Sequence, residues 1–204
     1  TSARDYLQCY RASKAEGEFR FVAMKLEGEV LIQMGESYWP QAQILFEEWL
    51  QENSNDSEGD FARLQLGRIH FRFDRPQVAE ETLLSILPSS SLYGPARSLM
   101  GQALFQRMLR YQEKNAFAQA NDLAPRIAEY HGEALQHSLT EKESQISNYQ
   151  VGYTFYQNKQ FNEALPFWEN YLELAEPSKD TEDIRYRVAT IHQSKKNWLK
   201  AEQH

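Results

Sequence analysis

Apolar residues along the chain recur at intervals of three and four, with polar residues between them. Val22, Leu26, Val30 and Met34 form one such row. Leu66, Ile69 and Phe73 form another, and Val151 and Phe155 with Gly152 a third. That spacing puts apolar side chains on one face of an α-helix. No Val/Ile/Thr-rich run alternates at period two between turn residues, so strand signals are absent. Turn chemistry returns roughly every 15 to 20 residues, in QMGESYWP, NSNDSEGD, FDRP, LPSSSLYGP, QNKQ, EPSKD and QSKKN. Asp74 with Pro76 reads as an N-cap followed by a first-turn proline. Thr140 with Glu143 fits a capping box. The pattern predicts an all-α chain of helices joined by short loops.

Gly152 stands inside one predicted helix, where it costs about 1 kcal/mol relative to Ala. Its spacing supplies a reason. Ala164 follows it by twelve residues, and Gly67 precedes Ala79 by the same interval. Ala189 and Ala201 repeat the interval, with Trp198 in the place of Phe161. Leu83 then matches Trp168, and Ile86 matches Tyr171. Ala42, Phe46 and Trp49 reproduce Ala164, Trp168 and Tyr171. Gly101 lies 34 residues after Gly67, and Ala42–Ala79 and Ala164–Ala201 both span 37. Agreement at several positions marks an internal repeat.

The pattern resembles the tetratricopeptide repeat (TPR), a helix–turn–helix unit of about 34 residues. The resemblance covers residues 19–204 in about five units. It implies a right-handed superhelical solenoid of antiparallel helix pairs, read here as one domain over 1–204. Gly67, Gly101, Gly152 and Ala189 are the small residues of first helices. Ala42, Ala79, Ala164 and Ala201 are those of second helices. Small residues let the two helices approach closely, and the large residues a turn later fill space against the next repeat. The motif is degenerate. Arg63, Arg97, Asn148 and Arg185 stand where a large aromatic is usual, and Pro88 and Pro177 only approximate the closing proline. Gly101 to Gly152 spans 51 residues. Lengthening two helices keeps first and second helices alternating, so 94–113 and 115–138 are expected as an elongated hairpin with a kink at Pro125. The last helix is short, and residues 3–13, with Tyr6, Leu7 and Tyr10 on one face, are spaced as a second helix. A segment of a longer solenoid, truncated at both ends, is the expectation.

Composition narrows the function classes. Hydrophobic residues are 41% and charged residues 25%, ordinary for a folded soluble protein. No apolar run approaches the roughly 18 residues of a membrane span, and the first ten residues, TSARDYLQCY, have no signal-peptide core. A net charge of −7 with 22 Lys+Arg argues against a nucleic-acid partner. The single cysteine, Cys9, rules out an internal disulfide and a cysteine-rich metal site. It leaves the compartment open: cytoplasmic, or the bacterial periplasm or envelope.

No catalytic or metal constellation emerges, and no cofactor is expected. The five histidines include no His-x-x-x-His pair, and His131 and His137, six apart, do not share a helical face. His70 and His192 occupy the repeat position of Phe155 and Leu104 and are expected to pack against a neighbouring helix. No phosphate-cradling glycine loop is present. Glu47, Glu48, Glu80 and Glu81 read as solvated faces, and Asn55 opens a chance-level glycosylation tripeptide.

The site must then be a surface. The resemblance implies that first helices line a concave, peptide-binding groove. Tyr149, Tyr153 and Tyr156 are spaced i, i+4, i+7 and form a stripe there, with Tyr186 in the Tyr149 place of the next unit. Arg68, Phe71 and Arg72, then Gln102, Phe105 and Gln106, hold the corresponding places in earlier units. Tyrosine and arginine dominate binding hot spots. The opposing expectation is that the tyrosines pack between neighbouring first helices. The lysine–asparagine clamp that some TPR proteins use on C-terminal carboxylates is not reproduced. The expected function is a non-catalytic scaffold binding a protein or peptide segment, with self-association through the solenoid ends. The alternatives are a structural spacer in a larger bacterial envelope or secretion assembly, and a peptide- or metabolite-sensing regulatory module.

Overall fold

A computed structural model describes residues 18–53 and 57–203 of the chain. Residues 3–13, Cys9 and Asn55 lie outside the described residues. Among those described there are ten α-helices and no strand. They fall into two compact units, Thr1–Leu92 and Tyr93–His204. The first contains α1 (Glu18–Gln33), a 3-10 turn (Glu36–Tyr38), α2 (Trp39–Glu52), α3 (Ser57–Arg72) and α4 (Pro76–Leu84). The second contains α5 (Tyr93–Glu113), α6 (Phe117–Leu135), α7 (Glu141–Gln157), α8 (Phe161–Leu174), α9 (Lys179–Ser194) and α10 (Trp198–Gln203). Within each unit, helices adjacent in sequence pack on one another, and α5 also touches α7.

One turn is used four times. α3, α5, α7 and α9 each end on a non-glycine residue in the left-handed region: Asp74 at φ 57°, Asn115 at 56°, Lys159 at 60° and Lys196 at 60°. The following N–H reaches back five residues: Arg75 to the His70 carbonyl at 2.9 Å, Ala116 to Tyr111 at 2.8 Å, Gln160 to Phe155 at 2.9 Å and Asn197 to His192 at 2.9 Å. This is the 6→1 bond of a Schellman motif, which satisfies carbonyls that a helix end leaves open. Five residues after each left-handed residue stands an alanine: Ala79, Ala120, Ala164 and Ala201. Asp74 is therefore not the N-cap expected from FDRP. It closes α3, and Arg75 is the residue before Pro76 that caps α4. Thr140 and Glu143 do form a capping box. So do Ser178 and Thr181, where a hydroxyl replaces the usual carboxylate.

Gly152 is needed for close approach. A Cβ there would overlap the Trp168 indole, and a Cβ on Gly67 would come within 2.6 Å of Leu83. The large residue thus lies over the glycine of its own hairpin. Trp168 also belongs to the core cluster of Ile184, Val188 and Ile191 on α9, so it fills the space toward the next hairpin as well. The same relation holds between Gly28 and Phe46, a pair that the sequence spacing did not bring out because the 3-10 turn lengthens that connection.

The long hairpin forms as expected, with 21 residues in α5 and 19 in α6, and Pro125 inside α6. Its register differs from expectation. Measured back from the left-handed turn residue, Met108 stands where α7 has Gly152, and Gly101 lies two helical turns further out. There it meets His131, whose ring would be 2.5 Å from an added Cβ. The row on α1 also differs. Val22, Leu26 and Met34 are each 45% exposed, whereas Ala23, Met24 and Leu31 are buried in the first unit's core with Phe46, Trp49, Leu66 and Ile69. α2 packs on the face of α1 that carries Gly28, where the Phe46 ring lies against the bare α-carbon.

Candidate functional site

The i, i+4, i+7 spacing on α7 puts Tyr149, Tyr153 and Tyr156 along one side of that helix, and all three are half-buried. Tyr149 and Tyr153 have ring centres 6.2 Å apart. Phe105, which α5 delivers because it touches α7, meets Tyr153 edge-on at 5.4 Å and Tyr149 at 6.4 Å. Tyr171 from α8 adds a ring 5.4 Å from Tyr149. These spacings suit aromatic rings that prefer tilted and edge-to-face contact. Burial, and then the Asp180 carboxylate, push the Tyr149 and Tyr171 hydroxyls above the usual tyrosine range, so both remain neutral donors.

Tyr156 has other partners. Its ring lies 5.0 Å from Trp168 and 5.2 Å from Phe161. The Arg187 guanidinium sits 4.8 Å from the ring centre, held by Asp183 at 2.7 Å. It is tied into the α7–α8–α9 core. Tyr186 is 73% exposed on α9. Gln102 donates to Ser98 Oγ at 3.3 Å, Phe105 is buried, and Gln106 is exposed. Phe105, Tyr149 and Tyr153 are therefore brought together, while Tyr156, half-buried like the other two tyrosines, meets a different set of rings. Arg68, Phe71 and Arg72 lie on α3 in the other unit. Arg68 and Arg72 are exposed, Arg68 donating to Gln65 Oε1 at 3.3 Å, and Phe71 is half-buried.

Three arrangements escaped the sequence reading. Tyr171 counted only as a packing position. Arg97 replaces the usual aromatic by recruiting two: its guanidinium lies 4.6 Å from Tyr93 and 5.6 Å from Tyr130, and it pairs with Glu133 at 2.9 Å. The i, i+4 placement of Tyr93 and Arg97 was the available signal. His131 is fully buried, and burial lowers its pKa to about 4. Its Nε2–H donates to Gln150 Oε1 at 2.9 Å, so Nδ1 accepts from Ser147 Oγ at 2.9 Å. Ser147 contacts Ser98 Oγ at 3.1 Å, linking α5, α6 and α7 through a neutral relay. His70 and His192 are both buried, as the repeat position implied, and His192 donates to Glu169 at 3.0 Å. Among the described residues no group of three metal-ligating side chains converges, and no helix is long and apolar enough to cross a membrane.

No family model and no curated protein matches the sequence. Solved structures do match. MamA aligns at TM-score 0.59 and 14% identity over 86% of this chain and 88% of its own. PilF of Pseudomonas aeruginosa aligns at 0.59 and 17% over 99% and 75%. TTC0263 of Thermus thermophilus aligns at 0.49 and 18% over 85% and 82%. MamA and PilF, both at TM-score 0.59, are TPR proteins. The fold is TPR-like. In TPR-like terms α5, α7 and α9 are first helices and α6, α8 and α10 second helices, so the aromatic face is built by first helices with one ring, Tyr171, from a second.

Proposed function

We propose that this TPR-like chain is a non-catalytic interaction module that holds a segment of a partner protein against the face formed by Phe105, Tyr149, Tyr153 and Tyr171. One observation carries the reading. These rings touch one another across three helices, and Tyr149, Tyr153 and Tyr171, though packed on the core around Trp168, each keep part of their surface exposed. Clustered, partly exposed tyrosines offer large rigid area with a polar tip, the side-chain type that dominates interface hot spots. Tyr186, exposed on α9 in the repeat position of Tyr149, offers the partner a further tyrosine. Arg68, Phe71 and Arg72 on α3 of the first unit offer further contacts.

The test is capture of partners from the source organism's lysate by wild type and by the Tyr153→Ala, Tyr186→Ala variant, after circular dichroism shows both folded. A protein held only by wild type is the expected result. Equal capture by both would remove binding from this face. Capture by neither would favour a spacer without a groove ligand. The reading of the chain as a scaffold rather than an enzyme rests on the TPR-like fold and on the absence of any catalytic grouping in the sequence.

A further inference from the structure

In the second unit each second helix turns its outer positions toward the first helix of the next hairpin. On α8 those positions hold Leu165, Glu169 and Leu172. Leu165 is buried, Leu172 packs on the cluster around Trp168 and Val188, and Glu169 accepts from His192. Counted from the left-handed turn residue, the same positions on α6 hold Asn121, Pro125 and Ala128. Their short side chains leave the α6–α7 interface open. The result is a cleft of about 400 Å³ between α6 and the C-terminal half of α7, within the roughly 300–1,000 Å³ of small-ligand sites.

The chemistry of the cleft is specific. None of its lining residues is ionisable. Asn121, Asn158 and Gln160 bring carboxamides, each both donor and acceptor. Asn158 Nδ2 is spent on the Thr154 carbonyl at 3.1 Å, which leaves its Oδ1 to accept. Pro125 has no N–H, so the Asn121 carbonyl on the same wall loses the donor a helix would give it. Ala124, Pro125, Ala128 and Phe155 supply its apolar lining. A charged ligand would find no counter-charge here. A carboxamide is the functional group of the peptide bond and satisfies its N–H and C=O alike. Phe155 is already stacked on Phe167 at 5.8 Å and 28°. That leaves less of the open flat face on which a sugar would stack.

We propose that this cleft binds a short uncharged stretch of extended polypeptide from a partner protein. Its main-chain amides bond to Asn121, Asn158 and Gln160, and a small apolar side chain lies on Pro125 and Phe155. The site is separate from the tyrosine face and does not depend on it. The experiment is NMR titration of the isotopically labelled chain with the tripeptide Ala-Val-Ala, blocked by acetyl and amide groups, and in parallel with methyl glucoside. The expected result is saturable shifts of the Asn121, Asn158 and Gln160 side-chain NH₂ signals with the tripeptide alone. Filling the cleft with Ala128→Trp should weaken that binding about tenfold or more, a change of about 1.4 kcal/mol. If Ala128→Trp does not fold, Asn121→Leu removes one carboxamide and serves the same purpose. Absence of shifts with the tripeptide, shifts with the glucoside instead, or undiminished binding in a folded filled variant would each overturn the proposal.

Discussion

The Trp168 indole rests on the α-carbon of Gly152, with no room between them for a methyl group. Gly152→Ala gains about 1 kcal/mol of helix propensity and loses more by forcing a fully buried ring aside. The net expectation is destabilisation of about 1–3 kcal/mol. Gly132 on α6 is the control, because nothing lies within 4 Å of an added Cβ there. Gly132→Ala should stabilise by about 1 kcal/mol. Urea midpoints for the two variants should therefore move in opposite directions.

Lys159 adopts φ 60° at the end of α7, a conformation that β-carbon-bearing residues rarely take. Lys159→Gly should remove that strain while keeping the Gln160 to Phe155 bond. A gain of about 1 kcal/mol is expected, read as a rise in Tm of roughly 2–4 °C. A fall in Tm would mean that the lysine side chain contributes more than its backbone costs.

His131 ties acid stability to the α5–α6–α7 relay. Its folded pKa of about 4 lies below the ordinary 6.5. The unfolded chain thus binds the extra proton first, and stability falls as pH drops from 6.5 toward 4. The slope approaches about 1.4 kcal/mol per pH unit. Burial lowers the His70 pKa too, with Arg75 adding to it, so His70 acts in the same direction. Urea midpoints at pH 7, 6 and 5 should show a shallower slope in His131→Gln than in wild type. Parallel slopes would exclude the relay as the source.

Packing and exposed tyrosines should separate in stability. Tyr156 touches Trp168, Phe161 and Arg187, so Tyr156→Ala should cost roughly 1–3 kcal/mol. Tyr186→Ala, on a 73% exposed side chain, should stay within about 0.5 kcal/mol of wild type. Thermal unfolding of the two variants decides it, and a large loss in Tyr186→Ala would place that ring in packing.

Much of the architecture was written in spacing. The twelve-residue interval from Gly67 to Ala79 and from Gly152 to Ala164 is what a Schellman turn between close-packed helices requires. It showed the hairpins before any coordinate did. The 51-residue gap announced the long α5–α6 pair, since only two lengthened helices keep the alternation. The candidate site was half legible. Helical spacing alone set Tyr149, Tyr153 and Tyr156 along one side of α7. It could not show that Tyr156 turns to Trp168, or that Tyr171 joins Tyr149.

The sequence by itself determined that the chain is helical, roughly where the hairpins turn, and that Gly67 and Gly152 sit at helix crossings. Those depend on local dihedral preference and on contacts a few turns apart. The tertiary structure alone decided the Gly101–His131 register, the buried relay, the exposure of Val22, Leu26 and Met34, and the α6–α7 cleft. Each depends on which face of a helix a distant helix covers. Residue spacing within one helix carries no record of that choice.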